Sequence, residues 1–253
     1  MPRLISFRSA AACALALLIG LTATTPAGAK DGGVPAELRV LTGGRVLAEE
    51  TLRTGTTSIP TSAGATCFGE GTGGSGNPVT VKGATALGLL AHAARSHAAL
   101  RPLLITDHFS FGLGLCGVGG QLEKEGGASW YLTVNHVNPE VGGEMAKLHA
   151  GDEVLWDLTA AFPYPDELAL SAPTSAQAGK PFAVRVFSYD EKGKRRAAAG
   201  VRVTGASGPT NSAGRATVTL SKPTLLTADL GGDIPSNRVG VCLGGRCPGG
   251  SNR

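Results

Sequence analysis

Ser129-Trp130-Tyr131-Leu132-Thr133-Val134-Asn135-His136, followed by Ala150-Gly151-Asp152-Glu153-Val154-Leu155-Trp156-Asp157, decides the reading of this chain. Trp130, Leu132 and Val134 alternate with Tyr131, Thr133 and Asn135, the two-residue period of a strand with one buried face. Gly151-Asp152 signals a turn, and Val154 and Trp156 begin a second alternation. Trp130 and Trp156 read as core. Tyr131, Thr133 and Asn135, on the opposite face, are candidate ligand-binding residues, because a tyrosine offers an apolar ring with a polar tip to a half-wet contact.

Working outward, residues 34–158 read as one domain. Gly43-Gly44, between Leu38/Val40 and Val46, is a hairpin signal. A glycine-rich loop from Thr66 to Pro78 leads into a short strand at Val79 and Val81. In the next stretch Leu87, Leu90, Ala91 and Ala94 recur at helical spacing, with Thr85 as the N-cap and Pro102 as the outer limit. Ile105 to Val118 reads as one or two strands with Phe109, Phe111, Leu113 and Leu115 on one face. Phe109 and Phe111 join the candidate ligand-binding residues. The expected class is α+β, a mixed sheet with one packed helix.

Those residues resemble the transcobalamin-like C-terminal domain family, a secreted module. The resemblance is carried by the Gly83-Ala84-Thr85-Ala86-Leu87 to Leu90 helix, Phe111-Gly112-Leu113-Gly114 with Gly117, Trp130-Tyr131-x-x-Val134-Asn135, and Ala146 to Leu148 leading into Gly151-Asp152-Glu153-Val154-x-Trp156. It covers about Val79 to Leu158. It implies a small α+β domain with one helix on a sheet. His136 departs from it, standing where the family turns on glycine after Val-Asn, and a Cys67–Cys116 pair belongs to only some members. Corrinoid binding in transcobalamin also uses a large helical domain with no counterpart in these 253 residues, so no corrinoid or other cofactor is expected.

Residues 159–165, with Pro163 and Pro165 around Tyr164, read as a stiff linker. Residues 166–243 alternate as short strands: Phe182 to Tyr189, Val201/Val203, Ala213 to Leu220, Leu225 to Leu230, Val239/Val241. Such spacing predicts an all-β sandwich. Ala178-Gly179-Lys180-Pro181-Phe182-x-Val184 and Asn211-Ser212-Ala213-Gly214-Arg215-Ala216 resemble a bacterial immunoglobulin-like or carboxypeptidase-regulatory-like sandwich. That resemblance implies architecture, not activity. Residues 244–253 read as a disordered tail.

Residues 1–29 read as a secretory signal peptide: Arg3 and Arg8, an apolar core from Ala10 to Leu21, and Ala27-Gly28-Ala29 as the cleavage site. No later apolar run reaches the roughly 20 residues of a membrane span. The formal charge of +4 (23 basic, 19 acidic side chains) falls to +2 without Arg3 and Arg8, far from a nucleic-acid footprint. Four cysteines remain after processing, an even count that favours disulfides in an exported chain. Of three connectivities, Cys67–Cys116 and Cys242–Cys247 keep each bridge inside one domain.

Catalytic chemistry finds little support. His92 and His97 are five apart, off the spacing of two ligands on one helix face, and no metal site is expected. Asp107 and His108 are adjacent, so on a strand they point oppositely. Gly112-x-Gly114-x-x-Gly117 has dinucleotide-loop spacing but opens no helix. The expected function is a secreted, non-catalytic binding or cell-surface interaction protein, not an enzyme. Its partner is an unknown extracellular ligand or cell-envelope component. The alternatives are a secreted hydrolase using His108 or His136 with a neighbouring acid, and a structural envelope protein.

Overall fold

Gly43 and Gly44 take φ of 53° and 76° and fold one long strand back on another in a hairpin. The computed structural model describes residues 33–124, 127–160 and 163–249. The expected signal peptide, Ala161-Phe162 of the expected linker and the last four residues lie outside the described residues. The first strands are β1 (Val34–Thr42), β2 (Arg45–Thr54), β3 (Thr57–Ile59) and β4 (Val79–Val81), followed by α1 (Ala86–Ser96) and a 3-10 turn at Ala98–Leu100. Then come β5 (Leu103–Thr106), β6 (Gly114–Val118), β7 (Gln121–Leu122), β8 (Ala128–Val134) and β9 (Glu153–Ala160). Beyond Pro163 lie β10 (Glu167–Ser171), β11 (Ser175–Ala176), β12 (Pro181–Tyr189), β13 (Arg195–Ala197), β14 (Arg202–Val203), β15 (Arg215–Thr219), β16 (Thr224–Leu226), β17 (Ala228–Asp229) and β18 (Val239–Leu243). The protein is mostly β, with α1 the one α-helix among the described residues.

The main sheet has the order β2-β1-β9-β8, with β1 and β9 parallel and the outer pairs antiparallel. Alternation sends Leu38, Val40, Trp130, Leu132, Val154 and Trp156 to one face, where α1 lies. Thr85 caps α1: its hydroxyl accepts from the Gly88 amide at 3.1 Å, and the Ala86 and Leu87 amides reach the Ala146 and Gly143 carbonyls. Leu87, Leu89 and Leu90 are fully enclosed, each contributing about 1.5–3 kcal/mol of burial. Leu168, Val184, Val186, Val218, Leu226 and Val241 centre a second core, built by β10 with β12, β13 and β15, by β11-β18-β16, and by β14-β17.

Both expected disulfides form: Cys67–Cys116 ties the glycine-rich loop to β6, and Cys242–Cys247 closes the end of β18. Two expectations change. Residues 107–113 are a loop between β5 and β6, so Phe109 and Phe111 do not stand on a strand. Residues 244–249, expected in a disordered tail, hold a turn in which Leu243 and Arg246 exchange backbone hydrogen bonds. The bridge to Cys247 holds that turn in place.

Candidate functional site

The sheet face away from α1 is covered by the chain itself. Glu37, Arg39 and Leu41 of β1 point there, with Leu155 and Asp157 of β9 and Tyr131 and Thr133 of β8 in register beside them. Leu41, Tyr131 and Leu155 pack on Ile234, and the Tyr131 ring stacks on Tyr164 at 4.1 Å. The Arg39 guanidinium pairs with Glu167 and donates to the Pro235 carbonyl at 2.9 Å. The Thr133 hydroxyl donates to the other Glu167 oxygen at 3.0 Å. Arg238 donates twice to Glu49, from its amide and from Nε, each at 2.6 Å.

Asn135 and His136 form the tight turn that ends β8, with φ of 52° and 67°. Val134 and Val137 exchange both backbone hydrogen bonds around them, the two-residue turn in which both central residues are left-handed. Asn135 tolerates this and is held by Asp152 and the Glu153 amide. A left-handed histidine is costlier. Its ring is used: it stacks on Tyr189 at 3.9 Å, with Nδ1 3.1 Å from Glu167 and Nε2 3.6 Å from Glu153.

Burial alone would raise Glu167. His136, the Arg39 guanidinium and the Thr133 hydroxyl outweigh it and hold the carboxyl below the usual range. Asp157 goes the other way. Burial pushes it from 3.8 up to about 6; Arg39 opposes the shift and Glu167 adds to it. Its Oδ1 is buried with no hydrogen-bond partner among the described residues. A carboxyl raised in the folded state favours folding while protonated, so this contribution falls as pH rises from about 4 to about 6 and then stays flat, roughly 3 kcal/mol in all. Relative to wild type, Asp157→Asn should therefore be about 3 kcal/mol more stable at pH 7.5 than at pH 4, measured by urea unfolding at both. An equal offset at the two pH values would show that the native carboxyl is hydrated.

Beside this cluster a cleft of about 990 Å³ opens, lined by Glu37, Glu49, Glu153, His136, Arg238 and Arg246 among others. Glu37 is raised by burial and by the like charges of Glu153 and Glu49. The cleft sets His136 against two carboxylates. Among the described residues both ring nitrogens face carboxylates, and neither meets a serine, threonine or cysteine nucleophile.

A second feature lies on the loop between β5 and β6. Phe109 stacks on Phe111 at 5.0 Å and meets Phe68 edge-on at 5.3 Å. Phe111 is 76 % exposed and Phe68 45 %. The cluster is held from beneath. Phe68 follows Cys67, which is bridged to Cys116, and lies over Gly114, where a Cβ would come within 2.5 Å of its ring. A shallow pocket of about 370 Å³ adjoins it, with Phe109, Asp107, Leu113 and Glu144 in its lining.

The candidate residues therefore divide. Phe109 and Phe111 meet at an accessible aromatic patch. Tyr131 and Thr133, expected on a half-wet face, are 3 % and 2 % exposed because the C-terminal core covers them. Asn135 is exposed and works as a turn former. Arg39, Asp157 and Glu167 were missed. Alternation gave no warning of the first two, since it puts Arg39 and Asp157 on the face opposite Leu38, Val40, Val154 and Trp156, where a charge is ordinary; the trace was the apolar Leu41 and Leu155 on that same face. His108 is exposed and packs edge-on against Phe109. Among the described residues no three His, Cys, Asp or Glu groups converge as a metal site, and no helix is long and apolar enough to cross a membrane.

No protein-family model, no curated protein and no solved structure matches this chain.

Proposed function

We propose that the chain is an exported, non-catalytic binding protein that presents the Phe68, Phe109 and Phe111 cluster to an extracellular ligand. In this reading residues 34–158 are a transcobalamin-like α+β domain. Residues 166–243 are an immunoglobulin-like sandwich that serves as spacer or docking unit. Two disulfides support an oxidising compartment. One observation carries the binding role: Phe111 and Phe68 stand exposed on either side of Phe109, one stacked on it and the other edge-on, and the loop bearing Phe68 is pinned by a disulfide. A fold with two packed cores has no structural need of such a patch, and exposed apolar patches mark interaction sites.

Calorimetric titration of the intact protein with chito-oligosaccharides, phenylalanine- and leucine-containing tripeptides and cyanocobalamin tests the reading. A ligand should emerge whose affinity drops about tenfold or more in Phe111→Ala, since a stacked aromatic contributes upward of 1 kcal/mol. Binding unchanged by that substitution, or steady hydrolysis of p-nitrophenyl esters by the wild type, would defeat it. The hydrolase reading retains one favourable observation, the contact of His136 with Glu167. Among the described residues it lacks a nucleophile at that ring.

A further inference from the structure

The pocket beside the phenylalanine cluster has one sign of charge. Asp107 and Glu144 are its charged lining groups, and Val79, Val81, Leu113 and the Phe109 ring supply apolar walls. Neither carboxylate takes part in a salt bridge among the described residues. Lys147, the cation nearest to Glu144 in sequence, donates instead to the Lys82 carbonyl at 2.9 Å.

Both carboxylates are fixed in place by the fold. Asp107 accepts from the Ser75 amide at 2.6 Å and from the Ser75 hydroxyl at 2.7 Å, which holds it below the usual carboxylate range and therefore ionised. Glu144 accepts from the Leu113 amide at 3.1 Å. It also lies so close to the backbone at Gly112 that a Cβ there would come within 2.1 Å of its Oε1. Gly112 has φ of 153°, so this position excludes a side chain on both counts. The loop that displays the aromatic rings thus also seats an acid beside them, and that acid has no cation of its own.

We infer that this pocket takes an organic ammonium or guanidinium group, its charge met by Asp107 and Glu144 and its hydrocarbon part by Phe109 and the aliphatic walls. Aromatic faces attract such cations electrostatically, more strongly as they are desolvated. A bare metal ion would want a shell of oxygen ligands, whereas this lining is largely hydrocarbon. The inference rests on the binding role proposed for the phenylalanine cluster and names the chemistry of its ligand. Two sources carry that chemistry: the lysine or arginine side chain of a partner protein, and a free polyamine.

The test titrates the intact protein by two-dimensional NMR with N-acetyl-lysine amide, N-acetyl-arginine amide, spermidine and the uncharged N-acetyl-norleucine amide. The cations should bind at least about tenfold more tightly than the norleucine derivative, with shifts centred on residues 107–113 and 144, and should weaken as salt rises. Asp107→Asn combined with Glu144→Gln keeps a carbonyl oxygen for the Ser75 and Leu113 amides, the new Asn NH2 donating to the Ser75 hydroxyl in place of the lost acceptor, and should erase the preference for cations. Tighter binding of the amino-acid amides than of spermidine identifies a protein side chain as the source, and the reverse identifies a polyamine. Equal binding of the norleucine derivative, or no binding of any cation, overturns the inference. A norleucine interaction lost in Phe111→Ala would at the same time leave the aromatic binding role standing. The comparison of charged with neutral probes needs only wild-type protein, so it decides the matter even if the double variant folds poorly.

Discussion

Arg39→Ala should destabilise the protein by about 3–5 kcal/mol, the usual result of leaving a buried carboxylate without its partner. Arg39 is 7 % exposed and Glu167 4 %, and the pair lies under the C-terminal core. Removing the guanidinium strands three groups: Glu167, which keeps only Thr133 and His136; the Pro235 carbonyl, which loses its donor; and Asp157, which loses the one charge opposing its upward shift. Urea unfolding near neutral pH measures the loss. In the same variant the fall in stability attributed to Asp157 should reach to higher pH, because nothing then favours its ionised form. A change below about 0.5 kcal/mol would place the pair in the class of solvated surface bridges and show the junction to be wet.

Loss of the Cys67–Cys116 bridge should cost about 4 kcal/mol in the chain-entropy account of a loop near 50 residues long. The bonded cysteines are 49 apart in sequence. The other bridge spans 5 and should be worth about 2 kcal/mol by the same formula. Paired Cys→Ser variants, unfolded in denaturant without reductant, separate the two contributions. The larger loss should bring a second effect, because Phe68 sits next to Cys67 on the loop that the bridge pins. The Cys67→Ser/Cys116→Ser variant should lose the phenylalanine platform as well as stability, while the Cys242→Ser/Cys247→Ser variant should keep it. Equal losses for the two bridges would show that the unfolded chain is already constrained between residues 67 and 116.

The local grammar of the N-terminal part was legible. Thr85 caps the helix it was expected to cap, Gly43-Gly44 turns a hairpin, and Trp130 and Trp156 are core. These features are set by neighbours in sequence, where period and turn chemistry act. The site was less so. Alternation says that Tyr131 and Thr133 share a face but not what lies over it, and the covering residues Tyr164, Glu167 and Ile234 all follow β9, from the expected linker and beyond it. The parallel pairing of β1 with β9 joins the two ends of the N-terminal part and leaves no trace in either strand alone. Phe109 and Phe111 mimic a strand because they are two apart, yet the β5–β6 ladder breaks off at Thr106 opposite Gly114, and Gly112 takes a positive φ between those two. Their exposure follows from that break.

The turn at Asn135-His136 has a mechanical meaning. Directly after it, Val137 bridges to Lys192 and the Asn138 amide donates to the Glu191 carbonyl, so the first sheet is riveted to the β12–β13 corner by main chain as well as by the imidazole. A swivel at Pro163-Tyr164-Pro165 would have to shear those rivets, the Tyr131–Tyr164 stack and the Arg39–Glu167 pair together. The described residues therefore behave as a bracket and not as a tether: if the proposed ligand is held at Phe111, it would be carried at a set distance and angle from anything that touches the C-terminal strands.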